Sequence, residues 1–96
     1  MALRFEWDVP KARVNVFRHG VSFDEAATVF RDGLAIIFDD EDHSTEEPRE
    51  IIIGHSALGR LLLVSFTEKT DNTVRIISAR VATRPERFNY EEKGND

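Results

Sequence analysis

Four arginines, Arg75, Arg80, Arg84 and Arg87, fall within thirteen residues near the end of the chain, and Tyr90 follows them. A guanidinium is planar, binds phosphate in a bidentate manner and keeps its charge at any physiological pH. That density exceeds what solubility asks of a chain whose formal net charge is −5. The chemistry it points to is recognition of a phosphate-bearing partner, with RNA as the first candidate. Arg49, Arg60 and Lys69 are the other cations positioned to join such a site.

The overall acidity does not exclude a polyanion. Between Asp39 and Glu50, seven carboxylates face Arg49 alone, a net of −6 that leaves +1 on the other 84 residues. Setting aside the tail 91–96 as well, with its net of −2, leaves a body at +3. A mildly basic body thus carries an acidic loop. That loop reads first as a solvated surface and second as a contact for basic residues of a partner. A cation site on Asp39, Asp40, Asp42 and His43 comes last, because the central glycine and terminal bidentate glutamate of an EF-hand loop are missing.

The 96 residues contain no cysteine, which removes disulfides and thiolate chemistry and fits a reducing compartment. There is no signal-peptide core and no apolar run of membrane-spanning length. One cytoplasmic domain over residues 1–96, without membrane contact, is the expectation.

The elements that must position the cations follow from periodicity. Leu3, Phe5 and Trp7 alternate with charged residues as in a short strand. Asp8 caps a helix from Val9 to His19, with Pro10 in its first turn, Val9, Ala12, Val16 and Phe17 inward, and Gly20 as exit. Ser22 to Glu25 is a capping box that opens a second helix to about Arg31. The period then changes to two, predicting strands over 34–39, 49–55, 60–67 and 73–81. A second capping box, Thr83 to Glu86, opens a short C-terminal helix through about Tyr90. The expected class is α+β: an N-terminal strand and two helices, then an antiparallel four-stranded meander and the last helix.

Strand parity yields a sharper expectation. With His55 opposite Arg60 and Phe66 opposite Val74, one sheet face carries Ile51, Ile53, Leu62, Val64, Phe66, Val74 and Ile76 and ends with Arg60 beside Arg80. Two arginines that close would repel unless an anion lay between them, so the pair becomes the predicted centre of a phosphate site. The opposite face collects Ile52, Leu61, Leu63, Arg75, Ile77 and Ala79. It is apolar enough to call for a partner chain or a second copy.

An ordered series of short motifs carries a resemblance. Phe5-Glu-Trp-Asp8, Lys11-Ala12 with Asn15, His19-Gly-Val-Ser-Phe23, His43-Ser44, Ile53-Gly54 with Ser56, Gly59-Arg60 and the run Arg75–Arg80 resemble the BrnT family. Ala82-Thr83, Glu86 and Tyr90 extend the match over nearly the whole chain. The resemblance implies a ribonuclease toxin of a type II toxin–antitoxin pair with a RelE-like fold. It further implies neutralisation by a BrnA-like antitoxin in a heterotetramer that contacts DNA only through the antitoxin. Pro48 stands where that family often has a second acidic residue.

RNA cleavage without a metal or other cofactor uses the 2′-OH as nucleophile. The protein must then align the phosphodiester, stabilise its added charge and move two protons. Arg60, Arg75 and Arg80 are the expected charge stabilisers, with Arg49, Lys69, Arg84 and Arg87 along the RNA backbone. His43 or Glu47 is the expected base, and Tyr90 stacks on a nucleobase or donates a proton. The plainer alternative has Arg60 and Arg80 ending their strands and pairing with Glu47, Glu50 or Glu86, and Arg75 in an interface salt bridge. A catalytically weak module that binds its partner and acts as corepressor is the competing function.

Overall fold

The computed structural model describes residues 2–41 and 47–94. Strand β1 (Arg4–Glu6) leads into α1 (Val9–His19), where the Asp8 carboxylate accepts from the Lys11 amide at 3.1 Å and Gly20 closes the helix at φ 66°. Only a residue without a Cβ takes that left-handed conformation at no steric cost. The Ser22 hydroxyl accepts from the Glu25 amide at 3.0 Å to start α2 (Phe23–Thr28). The expected helix to Arg31 tightens instead into a 3₁₀ turn over Val29–Arg31, a common way to satisfy the last carbonyls. At the far end, α3 (Arg84–Gly94) opens on the predicted capping box, with the Thr83 amide donating to Glu86 Oε1 at 2.8 Å.

Strands β2 (Ile36–Asp39), β3 (Glu50–His55), β4 (Leu61–Glu68) and β5 (Thr73–Val81) form the antiparallel meander. β1 pairs parallel to β5 and extends it to a five-stranded sheet in the order β1-β5-β4-β3-β2. At the β4–β5 turn Asp71 and Asn72 both have φ 60°, the backbone twist that tight hairpins prefer and that these two residue types tolerate.

One sheet face packs on α1 and α2. Val21, Phe23, Ala26 and Val29 meet Ile52, Leu62, Val64, Phe66, Val74, Ile76 and Ala79. Phe30 wedges between Phe5 and Phe66, with ring centroids 5.2 and 4.9 Å away. The other face holds a smaller cluster, Ile53, Leu61 and Leu63, closed by Ile36, Ile51, Ala82 and Tyr90. Part of the apolar face expected to need a second chain is therefore covered by the molecule's own C-terminal helix.

The parity expectation fails at two points, each with a physical cause. His55 pairs with Leu61, not Arg60, because Arg60 belongs to the turn: its carbonyl accepts from the Ser56 amide at 2.8 Å. A one-residue slip moves every side chain to the other face, so Ile52 joins the helix side and Ile51 and Ile53 leave it. On β5 the ladder shifts between Phe66 and Ser65, which pair with Ile76 and Ser78, leaving Ile77 as the extra residue of a bulge.

The α1 face also differs from expectation. Val9, Val16 and Phe17 point outward, with Phe17 91% exposed, while Asn15 is buried. Asn15 replaces a missing strand. β1 stops pairing with β5 at Arg75, and beyond it the Asn15 side chain closes the β5 edge. Its Nδ2 donates to the carbonyls of Ala79 and Val21, both at 2.8 Å, and its Oδ1 accepts from the Ala79 amide at 3.1 Å.

Replacing Asn15 by Ala strands these buried backbone groups and is expected to cost about 2–4 kcal/mol. Urea unfolding measures this, and a loss below about 1 kcal/mol would contradict the assigned role. The latch on α3 carries a pH signature. Arg80 donates from both terminal nitrogens to Glu86, at 2.7 and 2.8 Å, and this pairing chiefly lowers the Glu86 carboxyl to about 2. Because the folded value lies below the unfolded one, the stability is present above roughly pH 4.5 and fades as pH falls toward 2. Glu86→Gln should therefore cost about 1–2 kcal/mol at pH 7, allowing for solvent screening of a partly exposed pair. The gap from wild type should narrow as unfolding is repeated down to pH 3.

Candidate nucleic-acid interface

Arg75 and Arg80 are five residues apart on one strand, and strict alternation would send them to opposite faces. The Ile77 bulge resets the alternation. Arg75 now pairs with Thr67 and Arg80 with Leu63, and Thr67, Ser65 and Leu63 share one face of β4. Both arginines thus lie on the side of the sheet that α3 covers at one end only. The strand rise places their backbones roughly 16 Å apart, more than one phosphodiester can span.

At the Arg75 end the charges gather around Glu47. Lys69 Nζ lies 2.6 Å from Glu47 Oε2. That hydrogen bond, then the charge of Lys69 and more weakly those of Arg75 and Arg49, hold the carboxyl below its ordinary range. Arg75 Nη1 also donates at 2.8 Å to Glu6 Oε2, its neighbour on β1. Three cations and two carboxylates thus share one end of the open face.

At the Arg80 end lies a cavity of about 340 Å³ between α3 and the sheet, lined by Ile36, Phe38, Ile53, Leu63, Glu86, Asn89, Tyr90 and Lys93. Tyr90 donates from its hydroxyl to the Leu34 carbonyl at 3.3 Å and meets the His55 ring edge-on at 5.8 Å. Burial, helped by the charge of Asp32, pushes its phenol up, so it stays protonated. Arg84 and Arg87 are exposed on the same helix.

Arg60 stands elsewhere. Its side chain turns to the helix side, where Nε donates to Glu25 Oε2 at 3.0 Å and Nη2 to the Gly20 carbonyl at 3.0 Å, with Glu25 Oε1 closer still. Ser56 Oγ donates to the same carboxylate at 2.7 Å. The Arg60 hydrogen bonds outweigh the burial of Glu25 and hold its carboxyl below the usual range. This knot ties the β3–β4 turn to α2, together with the Ala57 amide on Thr28 Oγ1 at 2.8 Å. The expected Arg60–Arg80 pair is therefore not formed; a half-buried brace stands at one position and a latch on α3 at the other. His43 lies outside the described residues.

The carboxylate partners Glu6 and Glu25 were not legible as site residues, because each reaches its arginine through the fold: Glu6 across a parallel strand pair, Glu25 from a helix. Glu86 was, through its capping box and its expected pairing with Arg80. Among the described residues no three His, Cys, Asp or Glu side chains converge as a bound metal ion requires, and no helix is long and apolar enough to cross a membrane.

Chemically, the open face presents a row of basic groups with an ionised carboxylate at one end and a protonated phenol at the other. It suits a single strand laid along β5. Residues 7–86 match the family model of the ribonuclease toxin BrnT of type II toxin–antitoxin systems. The 1.1 Å crystal structure of the Brucella abortus ribonuclease toxin BrnT superposes with a TM-score of 0.66 at 22% identity, covering 86% of this chain and 100% of that one. No curated protein matches the chain. With its α+β architecture shared with that toxin and four-fifths of its length inside the family model, the chain belongs to the BrnT ribonuclease toxins of type II toxin–antitoxin systems.

Proposed function

We propose that the chain is a metal-independent RNA endonuclease whose substrate strand lies along β5 on the α3 side of the sheet. The supporting observation is the bulge at Ile77, which brings Arg75 and Arg80 to one face. The spacing of the two arginines divides the labour. Arg75, with Lys69 and Arg49, holds the scissile phosphate and stabilises the charge that develops as the 2′-oxygen attacks phosphorus. Glu47, ionised beside Lys69, takes the 2′-OH proton, and the Lys69 ammonium protonates the departing 5′-oxygen. The bond to the 5′-oxygen breaks as the 2′,3′-cyclic phosphate forms. His43 remains the other base candidate.

Arg80, Arg84 and Arg87 hold the neighbouring phosphates, and Tyr90 supplies an aromatic surface for a base or a proton for a phosphate oxygen. Arg60 acts through Glu25 as a positioning residue. The RelE-like assignment, the BrnA-like antitoxin, the toxin–antitoxin heterotetramer, its DNA contact through the antitoxin alone and a cytoplasmic location are part of the same proposal and rest on the family.

One observation favours the competing reading of a corepressor with little catalysis. Arg60, Arg75, Arg80 and Lys69 are each held by a carboxylate, which an RNA phosphate must displace or share. Incubation of the chain with a defined RNA in EDTA separates the two. Cleavage should proceed in wild type, fall by about 100-fold or more in Arg75→Ala and fall in Arg80→Ala as well. Arg60→Ala should lose stability first. Cleavage that needs added Mg²⁺, or survives both arginine substitutions, would refute the proposal. No cleavage beside tight antitoxin binding would establish the corepressor.

A further inference from the structure

Helix α1 is charged unlike the rest of this acidic chain. It carries Lys11, Arg13, Arg18 and His19 and no carboxylate. Its cations also differ from those of the sheet. Where Arg60, Arg75, Arg80 and Lys69 are each neutralised by a carboxylate, no ion pair involves Lys11, Arg13 or Arg18 among the described residues. All three side chains are exposed, so they are available to an incoming polyanion.

The same helix exposes an aromatic ring. Phe17 is 91% exposed, one turn from Arg13 and adjacent to Arg18. A ring that packs against nothing in its own chain, flanked by guanidiniums, matches how proteins hold single-stranded nucleic acid. Bases stack on the aromatic face while cations track the backbone.

Location links this helix to the proposed substrate face. Asn15 fastens α1 to β5 at Ala79. β1 accompanies β5 only as far as Arg75, so beyond it the bulged edge has no neighbouring strand and meets α1 through Asn15. There Ile77 and Ser78 line a groove of about 310 Å³ with Lys11, Arg18 and His19. A strand leaving the Arg75–Arg80 face across this edge runs into the groove.

We propose that α1 and the bulged edge of β5 form a second RNA-binding surface, with phosphates on Lys11, Arg13 and Arg18 and a base on Phe17, engaging the strand as it leaves the substrate face. The identity of the polyanion rests on the ribonuclease reading. An acidic protein segment would use the same charges but gives no reason for an exposed ring between them.

The test measures binding of two 2′-O-methyl oligonucleotides, about 4 and 15 nucleotides long, by fluorescence anisotropy across a salt series. The triple variant Lys11→Ala, Arg13→Ala, Arg18→Ala should bind the long strand about tenfold or more weakly, with a log–log salt slope shallower by about 2. Phe17→Ser should weaken it about tenfold at an unchanged slope. Neither variant should alter binding of the short strand or cleavage of an equally short RNA. An unchanged affinity and slope for the long strand in the triple variant would overturn the proposal. So would a loss of antitoxin binding with RNA binding intact, which would assign α1 to the protein partner. If the α1-dependent slope appears in a chain that cleaves nothing, the second surface stands and the ribonuclease reading alone falls. Circular dichroism confirms that the surface variants fold.

Discussion

The β-bulge at Ile77 is the constraint on which the rest of the molecule depends. A strand with strict alternation would have to choose which side of the sheet keeps its apolar residues. With one extra residue, β5 turns Val74, Ile76 and Ala79 toward α1 and α2 and Arg75 and Arg80 toward the open side. The core and the candidate site are thus set by one local irregularity. β1 ends opposite Arg75, before the bulge, and Asn15 closes the exposed backbone beyond it from α1.

A second theme is the pairing of charge. Each of Arg60, Arg75, Arg80 and Lys69 meets a carboxylate, yet the pairs serve different ends. The Arg60–Glu25 pair is half inside the protein, shares its carboxylate with Ser56 and braces a turn against a helix. Removing Arg60 would leave the buried Glu25 carboxylate without its chief donors, so this knot is structural by energetics. The Lys69–Glu47 and Arg75–Glu6 pairs are exposed, and exposed pairs contribute little to stability. Their weak grip is an advantage at a site, since a phosphate can compete for the same donors. The Arg80–Glu86 pair lies between these extremes and couples one end of the open face to the docking of α3.

Much of the architecture was legible because it rests on local chemistry. Asp8, Ser22 and Thr83 cap their helices as read, Gly20 ends α1, and the bounds of β5 agree to the residue. The failures in the sheet share one cause, the non-local setting of register. Nothing in the run from Ser56 to Arg60 tells whether four or five residues make the turn; the hydrogen bonds of Ser56 to Glu25 and to the turn amides decide it. The bulge had a faint trace in the spacing of Val74, Ile76 and Ala79, which steps by two and then three. On α1, hydrophobicity points to Val16 and Phe17 as core, whereas the buried position goes to Asn15, whose amide matches the unpaired backbone of the β5 edge. The surplus of exposed apolar surface on α1 is then a functional clue.

The central claim, that the face shared by Arg75 and Arg80 receives the substrate strand, is tested most directly by side-chain NMR. The arginine Nε–Hε resonances of the ¹⁵N-labelled chain would be followed during titration with an oligonucleotide lacking the 2′-OH at every position. The account predicts that the Arg75 and Arg80 signals shift together along one binding curve while the Arg60 signal, locked on Glu25, stays in place. A curve in which Arg60 shifts and Arg75 and Arg80 do not would contradict it.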